Sequence, residues 1–96
     1  MFIGTLKLTL RIDDAFSLKD RRNTVRSLKD RLRSRFNAVI AELSDNDNVY
    51  NRAFIGVAVI SGEQKHADEQ LQQILAFADK LGEFVIEDVK EEIVSI

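Results

Sequence analysis

The sequence predicts an α+β sandwich, two helices on one face of a four-stranded antiparallel sheet, and three observations predict it. The chain opens on a period-two alternation of apolar and polar residues at 2–12. Two stretches, 17–35 and 64–81, repeat their apolar residues at helical spacings of three and four. Three further runs, at 36–43, 52–61 and 83–94, are short, apolar and partly β-branched, as strands are.

In the first strand Leu6, Leu8, Leu10 and Ile12 alternate with Thr5, Lys7, Thr9 and Arg11, and Asp13-Asp14 ends it. Ser17 is placed to cap a helix: its hydroxyl accepts from first-turn amides, and Asp20 sets a carboxylate at the positive helix end. The helix extends to about Arg35, with Leu18, Val25, Leu28 and Leu32 in one stripe toward the core and Arg21 snorkelling at its edge. Asp45-Asn46-Asp47-Asn48 reads as a turn or loop after the second strand. R-A-F-I-G-V-A-V-I-S at 52–61 is almost continuously apolar, which suits a central strand. The second helix repeats Ala67, Leu71, Ile74, Leu75, Ala78 and Leu81, and Gly82 supplies the left-handed residue that ends it. In the last strand Phe84 and Ile86 have one parity and Val89 and Ile93 the other, so a β-bulge near Glu87-Asp88 is needed to reconcile them. The order βαββαβ with right-handed crossovers puts both helices on one face. The expectation is a ferredoxin-like sandwich with the first and third strands in the centre, a single domain over residues 1–96.

A chain of 96 residues with 45% hydrophobic and 31% charged residues has the make-up of one globular domain. It has no cysteine, which removes disulfides, thiolate metal sites and thiol nucleophiles. No run is apolar enough to span a membrane, and the N-terminus lacks a signal-peptide core, so a cytoplasmic protein is expected. Enzyme signatures are wanting. His66, the one histidine, sits at the start of the second helix without a metal-spaced partner and reads as a solvated residue. Glu87, Asp88, Glu91 and Glu92 read as the solvated side of an edge strand, where charge discourages edge pairing. Glycines at 4, 56, 62 and 82 are too scattered to build a phosphate cradle. No enzyme activity, cofactor or metal is expected.

The net charge of −2 hides a strong asymmetry. Residues 17–35 hold eight basic and two acidic residues, a net of +6, while residues 36–96 carry a net of −8. Lys19, Arg22, Arg26, Lys29 and Arg33 are spaced three, four, three and four. At 100° per residue they form one basic stripe about 80° wide beside the apolar one, with Arg31 and Arg35 on its other flank. Two readings fit. The stripe is a solvated face balanced by acidic residues of this domain or of a second subunit, or it binds a polyanion that relieves the repulsion among its cations. Arginine predominates, which favours bidentate phosphate contact. The open sheet face should carry Thr5, Lys7, Thr9 and Arg11. R-A-F-I-G-V at 52–57 only faintly matches an RNA-recognition strand, and Phe54 reads as packing against a partner or a loop.

S-L-K-D-R-R (17–22), V-R-S-L-K-D-R-L-R-S-R-F-N (25–37), A-E (41–42) and the strand A-F-I-G-V-A-V together make the sequence resemble the YlxP-like family, also called domain of unknown function 503. The resemblance covers essentially the whole chain. It implies a bacterial protein of about this length with a ferredoxin-like fold, often encoded near translation-initiation and ribosome-maturation genes. Some members resemble ribosome-binding factor A in general character, and no activity is established for the family. Arg21 stands where many members have lysine, and the loop from Asn48 to Asn51 departs from a form that often includes tryptophan. The expectation is a non-enzymatic RNA- or ribosome-associated domain without DNA specificity, binding phosphates through Lys19, Arg22, Arg26, Lys29 and Arg33, with Lys7 and Arg11 as secondary contacts. The alternative is a homo-oligomeric structural or protein-interaction domain, a homodimer for instance, that binds no nucleic acid. A small-molecule regulatory or catalytic domain is a third reading, since this topology hosts such functions.

Overall fold

The structure, a computed structural model, describes residues 1–43 and 50–96. The order is β1 (Phe2–Arg11), α1 (Leu18–Arg35), β2 (Val39–Leu43), β3 (Arg52–Ser61), α2 (Gln64–Lys80) and β4 (Val85–Ser95). The four strands form one antiparallel sheet in the order β2-β3-β1-β4, so the first and third strands are central and the fold is ferredoxin-like. The turn expected at Asp45-Asn46-Asp47-Asn48 lies outside the described residues.

Both central strands alternate as a half-covered sheet requires. Leu6, Leu8 and Leu10 of β1 and Ala53, Ile55, Val57 and Val59 of β3 point toward the helices and are buried. They meet Val25, Leu28 and Leu32 of α1 and Ala67, Leu71, Ile74 and Ala78 of α2 in a single core. α1 packs over β2 and β3, and α2 reaches over to β1 and β4. Gly4 allows α2 its close approach: a Cβ there would lie 2.9 Å from Leu71 Cδ1. Among the described residues no helix is long and apolar enough to cross a membrane.

Local chemistry accounts for the element ends. Ser17 Oγ accepts from the Asp20 amide at 3.1 Å, and the Asp20 carboxylate accepts from the Phe16 amide at 3.0 Å, one residue before the cap. α2 stops at Lys80 with Leu81 as its cap, and Gly82 follows at φ 70°, the left-handed residue expected there. β2 is shorter than its apolar run. Phe36 terminates α1, its amide bonded to Leu32 O at 2.9 Å and its ring edge-on to Phe77 at 5.7 Å, so β2 begins only at Val39. The β4 bulge falls where the parity break demands: Thr9 faces Asp88, Leu10 faces Ile86, and Glu87 is the extra residue. Glu91 and Glu92 are both exposed but take different faces: Glu91 faces Leu6 in the ladder and turns toward α2, where Gln72 Nε2 donates to it at 3.1 and 3.3 Å.

Candidate nucleic-acid interface

α1 owes its orientation to its apolar stripe. Val25, Leu28 and Leu32 are pinned on the sheet, so residues 100° away along the helix must flank it. Lys19, Arg22, Arg26, Lys29 and Arg33 therefore share one side of α1 over a length of about 21 Å. Lys19, Arg22, Arg26 and Arg33 are exposed and Lys29 is half-buried. Among the described residues, no carboxylate lies within ion-pair distance of these five. Arg33 is the member with an internal role: its Nη2 donates to Ile40 O at 2.8 Å and so covers a carbonyl of edge strand β2.

The remaining arginines are engaged inside the domain. Arg21 is buried, not merely edge-on, with Nη2 3.8 Å from Glu42 Oε1 on β2. Arg31 Nη1 donates to Glu83 Oε1 at 3.0 Å, and the Arg35 guanidinium lies 4.7 Å from the Phe77 ring centroid. These contacts join the last turn of α1 to α2 and the residues just after it. The two sides of α1 thus differ: one fastens the helix to the fold, and the other holds cations that the described residues do not neutralise.

Lys7 and Arg11 do not join that stripe. They lie on the open face of the sheet, the layer opposite the helices. Lys7 Nζ is 6.0 Å from the Phe54 ring centroid. Arg11 Nε donates to Asp13 Oδ1 at 2.8 Å, and its Nη1 lies 3.8 Å from Glu87 Oε1. That bond, more than the Coulombic attraction beside it, holds the Asp13 carboxyl below its ordinary value. Glu87 is held a second time by Arg52 Nη2 at 3.0 Å. The α1 row and this face therefore lie on opposite sides of the sandwich, and Lys7 and Arg11 share no surface with Lys19, Arg22, Arg26, Lys29 and Arg33.

Charge follows the sheet order. α1 brings its cations to the β2 side. Residues 63–96, which form α2 and the β4 edge, hold nine acidic and three basic residues, a net of −6. His66 is exposed, with Nδ1 3.3 Å from Ser61 Oγ, and that hydroxyl also accepts from the Glu63 amide at 3.1 Å. No group of His, Asp and Glu suited to holding a metal ion occurs among the described residues. What sequence reasoning missed is on the open face: Ala41, Gly56 and Ala58 floor a hollow of about 470 Å³, walled by Val39, Leu43, Lys7 and Glu92. The signal was there in small residues at alternate positions of two strands, but it becomes a hollow only once β2 and β3 are paired in register.

Three comparisons bear on this arrangement. Residues 3–91 match the family described as "Protein of unknown function (DUF503)". The chain is similar to the uncharacterized protein YlxP of Bacillus subtilis (strain 168), at 32% identity over 81 residues that cover 84% of this chain and 87% of that protein. Among solved structures it is similar to the de novo designed protein Foldit4, with a TM-score of 0.58 and 9% identity over 100% of this chain and 99% of that one, a likeness of fold alone.

Proposed function

The chain belongs to the DUF503 family, proteins of unknown function, and from that premise we propose that it is a non-enzymatic, RNA- or ribosome-associated domain that binds phosphates along α1. The observation that carries the reading is the row Lys19, Arg22, Arg26 and Lys29, whose charges meet no carboxylate of the described residues although Arg11, Arg21, Arg31 and Arg52 each do. Like charges at three- and four-residue spacing disfavour the helix that carries them, and a row of phosphates removes that cost while releasing counterions. The translation-linked setting that the family resemblance implies favours RNA among polyanions. α1 offers cations but no reader of base edges, so binding is indifferent to sequence and steep in salt, with a log–log slope of about −0.7 to −0.9 per phosphate neutralised. The cytoplasm is where such a protein would meet its RNA.

The experiment compares the wild-type protein with a Lys19→Glu/Arg22→Glu/Arg26→Glu/Lys29→Glu variant in binding to ribosomal subunits and to a structured RNA across a salt series. Arg33 is left alone because it covers Ile40 O. The expected result is a loss of about tenfold or more near physiological salt, with a slope shallower by two or more, and an unchanged circular dichroism spectrum. Equal binding by a folded variant overturns the proposal.

A further inference from the structure

We propose that the open face of the sheet is the contact surface of a two-fold dimer with a second copy of this chain. Three of the large apolar side chains left in water gather there. Val39 is 71% exposed, Ile60 66% and Val94 41%, on three different strands at one end of the face. Scattered exposed apolar residues need no explanation, but a contiguous cluster on the uncovered side of a sheet does.

The strand register shows what fits. Reading across the sheet from β2 to β4, one row is Val39, Ala58, Thr5 and Glu92, and the next is Ala41, Gly56, Lys7 and Lys90. The first row holds the protruding Val39 and an acid. The second holds Ala41 and Gly56 of the hollow's floor and Lys90, which forms no ion pair among the described residues. A two-fold axis lying in the interface, perpendicular to the strands and midway between these rows, lays each row on its neighbour in the other copy. Val39 then enters above the partner's Ala41, and Glu92 meets the partner's Lys90. Each contact occurs twice, as an isologous interface requires.

In the flanking rows Ile60 comes over the partner's Phe54, and Val94 beside the partner's Asp88. The size is also right. Three strands of ten or eleven residues and one of five, about 4.8 Å apart and about 3.3 Å per residue, give a flat face of about 570 Å², and side-chain relief brings this toward the 800 Å² or so per subunit of a standard stable interface. Such a dimer buries the sheet and leaves both α1 helices on its outer surfaces, so it carries two phosphate-binding rows and excludes base stacking on Phe54.

The test is sedimentation velocity on nuclease-treated full-length protein, with Val39→Glu, Lys90→Glu and Lys90→Glu/Glu92→Lys variants and circular dichroism as the control of folding. Wild type is expected to be dimeric at micromolar to tens-of-micromolar concentration, Val39→Glu monomeric, Lys90→Glu weakened about tenfold, and the double swap restored to within a few-fold of wild type. A wild type still monomeric at about 0.5 mM overturns the proposal. So does a dimer indifferent to both Val39→Glu and Lys90→Glu, which places the contact elsewhere. The phosphate-binding reading stands or falls separately, because none of these residues lies on α1.

Discussion

At the scale of single residues, position in the fold decides what a charge does. Glu91 and Glu92 are neighbours in the chain, yet β4 turns one toward α2 and the other onto the open face. Partial desolvation against α2, and then the hydrogen-bonded neighbour Asp68, raise the Glu91 carboxyl above its ordinary value of 4.5, while Gln72 works the other way. A carboxyl raised on folding holds its proton more tightly folded than unfolded. Its contribution therefore favours the folded state below the unfolded value and is lost as pH rises through the folded one. At neutral pH the ionised group is a small liability. Glu91→Gln keeps an acceptor for Gln72 and removes the charge, so thermal denaturation at pH 7 should show Tm higher by a few degrees at most. The gain should fade in melts run below about pH 4.5, where Glu91 is protonated in both states. A difference that grew toward acid would contradict the assignment.

Among the elements, β4 shows how a strand absorbs a mismatch in its own pattern. Its apolar residues change parity in mid-course, and the bulge at Glu87 lets Ile86, Val89 and Ile93 all face the helices. Glu87 is spare in the ladder but not in the electrostatics, because it joins Arg11 and Arg52 at 3.8 and 3.0 Å. Deleting Glu87 should leave a regular ladder with Asp88 still opposite Thr9 and Ile86 opposite Leu10. The protein should fold and melt cooperatively, with stability lower by about 1 kcal/mol for the lost surface pairs. Loss of folding in a calorimetric scan would mean that the bulge sets more than parity. The two edges of the sheet are defended differently. β4 carries charge along its length, whereas β2 is short and has Ile40 O covered by Arg33. α1 thus serves the β2 edge with one end of the stripe whose other members are left to solvent.

For the whole molecule, one core and one charge asymmetry govern behaviour. Leu71 sits where α2 closes on Gly4, wholly buried, and Leu71→Ala should cost about 2–5 kcal/mol by leaving a void that the sheet cannot collapse to fill. Against a total of about 5–15 kcal/mol for a domain of this kind, a urea titration should show a large fall in midpoint with the slope unchanged. Periodicity in the chain was enough to read the element order, the Ser17 cap, the Gly82 stop, the β4 bulge and the basic stripe of α1, because each depends on residues a few positions apart and on fixed backbone repeats of 2.0 and 3.6. Other features were closed to it. Phe36 belonged to a helix end and not to a strand because Phe77, 41 positions later, offers its ring. Arg21, Arg31 and Arg35 turned out to be fasteners because Glu42, Glu83 and Phe77 arrive from other elements. The place of Lys7 and Arg11 on the open face was legible in the alternation of β1, but the hold of Asp13 and Glu87 on Arg11 was not. The local pattern of the chain by itself determined which residues are cations and on which side of their element they stand. Which of those cations remain without a counter-charge was decided only when strands distant in sequence came together, since an ion pair depends on separation in space and the one-dimensional pattern carries no such distance.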